Sequence, residues 1–200
     1  MVIQGQKAKT VIGHHMSFSM ANGFPVICER DMSGNFFKAA LGEHIGFLHG
    51  AQTHDELKSW GCPYWKKWVT EEKCAVWGLP PGDLGNGSYG AAWTRFPTAE
   101  GLPFNQIMAT VEVFKRTPSL RTFRIINWIP HYIHKTEHFP RRVVVAPCHG
   151  DIYIRGFPET KELVITHVQR SADSPVGLAF NLIQYAAFGM MFAQVVGYTF

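Results

Sequence analysis

The chain has 200 residues, of which 46% are hydrophobic and 17% are charged, and its formal net charge is +4. This length and apolar content fit one globular domain with a sizeable core and exclude a disordered chain. The mild positive charge lacks the concentrated Lys/Arg runs of nucleic-acid-binding proteins, so it favours a small anionic ligand such as a phosphorylated substrate.

The first half of the chain offers three local signals. Thr10 to Met20 alternates between apolar and polar residues as a strand does, and Phe36 to Leu48 has helical spacing. Thr53 and Glu56 have the spacing of a helix-opening capping box. Leu79 to Ser88 contains two prolines and three glycines, which disfavour both a helix and a β-strand. The segment is predicted to be a loop.

The second half has four short predicted strands between two predicted helices. Asn105 to Lys115 reads as a helix, and Gly177 to Val196 as a long, buried apolar helix. Four short segments favour strands, several with β-branched residues: Arg121 to Trp128, Val143 to Pro147, Asp151 to Gly156 and Leu163 to Gln169. This uneven order predicts a single α+β domain over residues 1–200, with a mixed β-sheet.

The C-terminal apolar stretch raises the alternative of a membrane span. No charged residue stands between Ser174 and Phe200. Asn181, Gln184 and Gln194 would lack partners in lipid, however, which favours a helix buried in protein and predicts no membrane segment.

Cysteine usage points to a reducing compartment. Cys28, Cys62, Cys74 and Cys148 form no Cys-x-x-Cys pair, and no His/Cys cluster has the spacing of a zinc site. The N-terminal residues carry no apolar signal-peptide core. We therefore expect reduced thiols, a cytoplasmic location and no metal.

Cys148 is the residue that most suggests chemistry. It ends the apolar run Val143 to Pro147, and Arg170 stands further along the chain in a Gln-Arg-Ser-Ala-Asp segment. A thiol near an arginine can act as a nucleophile, because positive charge favours the thiolate. A small buried hydrophobe is the alternative for an unpaired cysteine after a β-branched run, and it stays open at this point.

Several motifs together resemble the thymidylate synthase family, which includes the pyrimidine nucleotide hydroxymethylases. The most specific are Ala146-Pro147-Cys148-His149, Gln169-Arg170-Ser171-Ala172-Asp173 and Gly177-Leu178-Ala179-Phe180-Asn181-Leu182-Ile183-Gln184-Tyr185; Glu43-His44-Ile45-Gly46-Phe47-Leu48-His49-Gly50, Trp65-Lys66-Lys67-Trp68 and Ser88-Tyr89-Gly90-Ala91-Ala92-Trp93 support them. The resemblance implies an α+β thymidylate synthase-like fold, with a mixed sheet, a long buried central helix and a sheet-packed homodimer.

The resemblance also implies a catalytic group. Cys148 would add to carbon 6 of a pyrimidine 5′-monophosphate, which makes carbon 5 nucleophilic enough to attack a one-carbon unit. Glu43 would be the general acid/base. Tyr89, His149 and Asn181 complete the catalytic positions.

The substrate and cofactor positions follow from the same motifs. Arg170, Ser171 and Gln169 match phosphate and pocket positions, Arg121 matches an arginine that reaches the partner subunit's site, and Asn181 matches the residue that reads a uracil ring. The implied cofactor is 5,10-methylenetetrahydrofolate, at positions matched by Asp173, Gly177, Trp65 and Trp68.

The chain departs from the family pattern in three places. Arg121-Thr122 stands where the family has two adjacent arginines. An expected loop arginine before the first strand is missing, with Lys7 and Lys9 the nearby cations, and Arg141 and Arg142 could compensate. The chain also stops at Phe200, before the family's ribose-binding His-x-Tyr motif and C-terminal tail, so we expect a domain that lacks the family's C-terminal part.

The leading hypothesis is therefore conversion of dUMP to dTMP. The first alternative is a hydroxymethylase acting on dUMP or on CMP or dCMP, in which water ends the reaction because an open site does not exclude it. The second is a truncated, catalytically impaired relative that binds nucleotide without turnover.

Overall fold

The computed structural model describes residues 2–3, 6–7 and 9–200 of the chain. Helical residues outnumber strand residues in this part of the chain. The helices are α1 (Asn35–Leu48), α2 (His54–Ser59), α3 (Glu71–Ala75), α4 (Tyr89–Thr94), α5 (Gln106–Arg116), α6 (Pro130–Ile133) and α7 (Gly177–Val196), and the strands are β1 (Val2–Ile3), β2 (Gln6–Lys7), β3 (Arg124–Ile125), β4 (Asp151–Phe157) and β5 (Glu162–Val168).

Helix α1 buries one face from Ala39 to Phe47. Ala39, Ala40, Glu43, His44 and Phe47 are buried and recur at helical spacing. The helix packs against α4 and α7. The predicted helix over Phe36 to Leu48 is therefore confirmed, and α1 carries a carboxylate and an imidazole into the interior.

Helix α2 begins at the predicted capping box. The Thr53 hydroxyl accepts from the Glu56 amide at 3.2 Å, and the Glu56 carboxylate accepts from the Thr53 amide at 2.9 Å. These bonds satisfy two of the donors that a helix N-terminus leaves unpaired. The loop predicted over Leu79 to Ser88 follows between α3 and α4 and contains no helix or strand.

Helix α7 has the bounds that its apolar pattern predicts. It contacts α1, α5 and β5, and Asn181 and Gln184 are among its buried residues. It ends at Gly197, whose φ of 75° is the left-handed conformation that favours glycine. By length and composition alone α7 could cross a membrane, although 56% of its most apolar window is buried inside the protein.

The larger sheet has three antiparallel strands in the order β3-β4-β5. Ile152 and Ile154 of β4 are buried against the core. Gly156 lies against Phe114, where a Cβ atom would come 2.5 Å from the ring. The helices and antiparallel sheet are compatible with an α+β class. The predicted mixed sheet is not seen in the described residues, where parallel pairing is limited to one bridge between Glu162 and Thr199.

The strand predicted over Thr10 to Met20 is wrong. Nearly all of these residues are exposed, and the segment forms no strand in the described part of the chain. Val11 and Ile12 are 80% and 89% exposed. Alternation predicts a strand only where one face can be buried, and here neither face is covered.

Two other predicted strands are replaced by bonds to side chains. Val143 to Pro147 forms no strand, because the side chains of Arg141 and Arg170 bind its carbonyls. Arg121 to Trp128 shortens to β3. Ile126, the residue after β3, is bonded by a side chain and not by a strand. Its N–H donates to Gln106 Oε1 at 3.0 Å, and its C=O accepts from Gln106 Nε2 at 2.7 Å. Ile126 therefore does not extend the ladder.

Candidate active site around Cys148

Cys148 is half-buried at the end of the loop that follows Val143. Its backbone amide donates to the Tyr89 hydroxyl at 2.9 Å, which ties the loop to α4. Its Sγ lies 3.7 Å from Nη2 of Arg170 and 3.7 Å from the Ala146 carbonyl oxygen. A sulfur beside a guanidinium, in a partly exposed position, has the surroundings of a reactive thiol rather than of a buried apolar filler.

Arg170 holds this loop in place. Its Nε donates to the Pro147 carbonyl at 2.7 Å, and its Nη2 donates to the Ala146 carbonyl at 3.0 Å. Its guanidinium lies 5.1 Å from the centre of the Trp128 ring, a cation–π distance. The Arg170 amide also donates to the Cys148 carbonyl at 3.0 Å. One residue thus fixes the cysteine loop and brings positive charge to its sulfur.

Arg141 plays a similar part earlier in the same loop. Its Nε and Nη2 donate to the carbonyls of Val143 and Val144 at 2.8 and 3.0 Å, and its guanidinium lies 4.5 Å from the Trp77 ring centre. Burial, followed by the charge of Arg170, lowers the Arg141 pKa. The guanidinium is therefore close to Arg170 and is already used in holding backbone.

His149 points into a buried cluster of rings. Its Nδ1 lies 2.6 Å from the Tyr185 hydroxyl, and the His167 ring stacks on Tyr185 with a 3.5 Å centroid distance. Burial, followed by the charges of His167 and His44, lowers the His149 pKa well below its usual range. Burial also lowers the pKa of His167 to about 4. These imidazoles are neutral at physiological pH.

Tyr89 links the cysteine to the carboxyl group of α1. Its ring lies 4.5 Å from that of His149 and 6.0 Å from that of Trp65. Burial, followed by the charge of Cys148, raises the Tyr89 pKa well above its usual range. Tyr89 therefore keeps its proton and stands between Cys148 and the Glu43 pocket.

Glu43 is buried, and both of its oxygens are hydrogen-bonded. Trp65 donates its indole N–H to Oε1 at 2.5 Å, and Gln184 donates its amide to Oε2 at 2.6 Å. Burial raises the Glu43 pKa, and the hydrogen bonds from Gln184, Trp65 and Cys62 lower it by less. A buried carboxyl group with a raised pKa is the kind of group that serves as a general acid/base.

Asn181 lies in a row of amide side chains that leads to Glu43. Its Oδ1 accepts from Gln169 at 2.7 Å, and its Nδ2 donates to Gln184 at 2.9 Å. Gln169 also donates to the Ser171 carbonyl at 3.2 Å. The segment that carries Arg170 is therefore bonded to α7, which places Asn181 and Glu43 in one network.

The predicted residues that remain lie around this group. Ser171 is exposed, and its amide lies 3.4 Å from the Cys148 carbonyl. Asp173 is exposed, and its carbonyl accepts from the Leu178 amide at 3.0 Å. This bond holds Asp173 next to the start of α7, which begins at Gly177. Trp65 lies inside the group through its bond to Glu43.

Two predicted residues are not among the contacts of this group in the described part of the chain. Trp68 is half-buried, with the ammonium groups of Lys67 and Lys73 at 5.5 and 5.1 Å from its ring. Arg121 is exposed in the turn before β3. Of the lysines weighed as loop cations, Lys9 is exposed, and the Lys7 side chain lies outside the described residues.

Sequence reasoning assigned no role to four residues that build the site. Gln184, Tyr185, Trp128 and Asn127 bond to or pack against predicted residues, and the Asn127 amide donates to the His149 carbonyl at 2.5 Å. Gln184 alone had a usable signal, because a buried amide in an otherwise apolar helix needs a partner.

One comparison with known proteins bears on this arrangement. A family model described as thymidylate synthase matches residues 3–200 of the chain. The match spans the cysteine loop, the Arg170 segment, and the helices that carry Glu43 and Asn181.

Proposed function

We propose that this chain, which belongs to the thymidylate synthase family, converts dUMP to dTMP. Members of the family transfer a one-carbon unit from methylenetetrahydrofolate to a pyrimidine nucleotide, so the chain is a pyrimidine one-carbon transferase of the methyl- or hydroxymethyltransferase kind. The choice of dUMP, and of methylation, is our proposal.

The 3.7 Å approach of the Arg170 guanidinium to the Cys148 sulfur carries the proposal. A pyrimidine ring is a poor nucleophile at carbon 5 until a nucleophile adds to carbon 6 and makes the ring enolate-like. A guanidinium beside a partly exposed sulfur is the kind of surrounding in which reactive cysteines are found. The Tyr89 hydroxyl fixes the Cys148 backbone from the other side, so the nucleophile is held before substrate binds.

Glu43 is suited to move the protons of the reaction. The addition places negative charge on the carbonyl at carbon 4, and carbon 5 must later lose its proton. A buried carboxyl group with a raised pKa can donate to the first and accept the second, directly or through water. Trp65 and Gln184 hold the carboxyl group in one orientation.

Asn181 gives a reason to prefer uracil. After its bonds to Gln169 and Gln184, its amide keeps one N–H and one oxygen lone pair. A donor beside an acceptor complements the O4 and N3–H edge of uracil. The phosphate would be held by Arg170 and Ser171, with Gln169 lining the pocket beside them, all on the segment after β5.

The proposed folate positions suit the chemistry of such a cofactor. Trp68 offers a half-buried ring with two ammonium groups beside it, Asp173 offers an exposed carboxylate at the start of α7, and Gly177 leaves space where nothing lies within 4 Å of a Cβ position. A flat, amino-bearing ring with an anionic tail fits such donors. When bound, methylenetetrahydrofolate supplies the one-carbon unit and, for methylation, the hydride.

A homodimer completes the proposal. Tyr153, Phe157, Val164 and Val168 share one face of β4 and β5 and are between 41% and 50% exposed. Exposed apolar side chains grouped on one sheet face are typical of an interface. We propose that this face packs against a second copy, with the exposed Arg121 reaching the partner's phosphate site. The four free thiols suit the cytoplasmic location that we propose.

Hydroxymethylation is the second candidate, and the exposure of the site favours it. Arg170, Ser171 and Asp173 are all exposed, so water can approach the place where the one-carbon unit is transferred. The mass of the product formed from dUMP distinguishes the two, since methylation gives dTMP and hydroxymethylation leaves an added oxygen.

The experiment that tests the proposal is covalent trapping with 5-fluoro-dUMP and methylenetetrahydrofolate. Fluorine at carbon 5 cannot leave as the proton does, so a complex on Cys148 persists and its mass can be measured. We expect an adduct with the wild-type chain and none with Cys148→Ser, with Cys28→Ser as the exposed-thiol control. Nucleotide binding without an adduct would contradict the proposal and favour a binding protein without turnover.

A further inference from the structure

Three amide side chains form a continuous row between the surface and Glu43. Gln169 donates to Asn181 at 2.7 Å, Asn181 donates to Gln184 at 2.9 Å, and Gln184 donates to Glu43 at 2.6 Å. Each amide therefore accepts from one neighbour and donates to the next, except at the Gln169 end. The row is well buried at its inner end, where Gln184 is 0% exposed and Asn181 is 7% exposed.

The inner end of the row has a fixed orientation. Gln184 Nε2 also donates to the Ala40 carbonyl at 3.1 Å. A backbone carbonyl can only accept, so the nitrogen of Gln184 must face Ala40 and Glu43, and its oxygen must face Asn181. Asn181 is therefore required to turn its nitrogen toward Gln184.

The outer end has the same kind of anchor. Gln169 Nε2 donates to the Ser171 carbonyl at 3.2 Å as well as to Asn181, so its nitrogen is fixed toward both acceptors. Asn181 thus lies between a fixed donor and a fixed acceptor. If its amide turned over, oxygen would face oxygen at the buried Gln184 and nitrogen would face nitrogen at Gln169, so hydrogen bonds would be lost at both ends of Asn181.

We propose that Gln184 is a positioning residue that fixes the amide orientation of Asn181 and thereby decides which pyrimidine edge the site accepts. The inference rests on the proposed function, because it takes Asn181 to be the residue that faces the base. Uracil presents an acceptor at O4 and a donor at N3, whereas cytosine presents a donor at N4 and an acceptor at N3. Each edge requires the opposite amide orientation, so a fixed Asn181 discriminates between them.

Gln184→Met is the variant that tests this role. Methionine matches glutamine in length and bulk but cannot donate or accept as an amide, so Asn181 loses one of its two anchors. Calorimetry on the wild type and on the variant measures the dissociation constant of dCMP divided by that of dUMP. We expect this ratio to be above one in the wild type and to fall at least ~tenfold in the variant. That factor corresponds to about 1.4 kcal/mol, the scale of one or two buried hydrogen bonds.

Gln106→Met is the matched control. Gln106 is also a buried glutamine, and its amide makes three bonds, to the Ala92 carbonyl at 2.8 Å and to Ile126 at 2.7 and 3.0 Å. Its loss should cost stability without changing the dCMP/dUMP ratio. A general loosening of the fold would change the ratio in both variants, which would contradict the positioning role.

The pH profile gives a second readout that simple destabilisation does not produce. The Gln184 N–H favours the ionised form of Glu43, and removing it should raise the Glu43 pKa further. The limb of the kcat/KM profile that reports this carboxyl group should therefore move to higher pH in Gln184→Met and stay in place in Gln106→Met. An unmoved limb would contradict the coupling.

The outcomes separate the inference from the proposed function. If the wild type binds neither nucleotide, the proposed function fails and the inference fails with it. If the wild type binds both equally, or Gln184→Met keeps the wild-type ratio, only the inference fails. Should Gln184→Met not fold, Gln169→Met releases Asn181 from the other end and must lower the ratio in the same way; an unchanged ratio overturns the inference.

Discussion

His44 should make the protein less stable in mild acid, and His44→Phe should remove part of that loss. The imidazole is fully buried, with Trp93, Tyr185 and Phe188 packed edge-on at centroid distances of 5.4, 5.4 and 5.8 Å. Neither ring nitrogen has a hydrogen-bond partner among the described residues. Phenylalanine keeps a ring in this aromatic pocket and removes the two unpaired nitrogens.

The magnitude follows from the pKa difference between the folded and unfolded chains. Burial, followed by the charge of His167, lowers the His44 pKa from 6.5 to about 3. Below pH 6.5 the unfolded chain takes up a proton at His44 while the folded chain does not, so stability is lost as pH falls. Linkage gives a loss of about 2 kcal/mol between pH 8 and pH 5 from this residue alone.

Urea unfolding at pH 5, 6, 7 and 8 measures the effect. His44→Phe should be more stable than the wild type at every pH, because it removes unpaired buried nitrogens, and its advantage should be about 2 kcal/mol larger at pH 5 than at pH 8. His138→Phe is the control, because it removes an exposed imidazole. An advantage that does not grow between pH 8 and pH 5 would refute the reasoning.

Two further substitutions test the cysteine loop and the sheet face. In Arg170→Lys, the lysine cannot bond both Ala146 and Pro147 or stack on Trp128 as arginine does. The rate of 5-fluoro-dUMP adduct formation should therefore fall at least ~tenfold, which corresponds to about 1.4 kcal/mol of activation free energy. An unchanged rate would contradict the role of Arg170. Val164→Asp places a carboxylate on the exposed face of β5, opposite Arg155, and sedimentation should show monomers where the wild type and Val11→Asp are dimers. A monomeric wild type contradicts the interface.

The parts of the fold that were predicted from sequence depend on local patterns. Helix α7 has the predicted bounds, since its apolar run and the glycine after it are both local signals. The Thr53–Glu56 capping box follows from spacing alone. Strands β4 and β5 pair with each other along their whole length, so their β-branched pattern was enough to place them within one residue at each end.

The loop before Cys148 could not be predicted because its partners are distant in sequence. Val143 to Pro147 has the composition of a strand, yet Arg141 and Arg170 bind the carbonyls of Val143, Val144, Ala146 and Pro147. Guanidinium groups thus satisfy the acceptors that a neighbouring strand would satisfy in a ladder. The composition of a segment does not reveal which side chains will reach its backbone.

Motifs in the sequence identified the site residues but not the hydrogen bonds that join them. Motifs identified Glu43, Asn181 and Gln169, but the bonds that join them pass through Gln184, whose identity matters only once α1 and α7 are packed together. Its sole signal in the sequence is polarity within an apolar helix. A buried amide in such a position must find partners, and here both its oxygen and its nitrogen do.

The guanidinium of Arg170 contacts both the cysteine loop and the sulfur of Cys148. It bonds Ala146 and Pro147 and approaches the Cys148 sulfur through Nε and Nη2. A guanidinium carries five N–H donors, so donors on Nη1 are left for a phosphate. In the proposed reaction, a bound phosphate would therefore lie on the same guanidinium that approaches the nucleophile. In the proposed dimer, the exposed Arg121 of the partner subunit would add a second cation beside that phosphate.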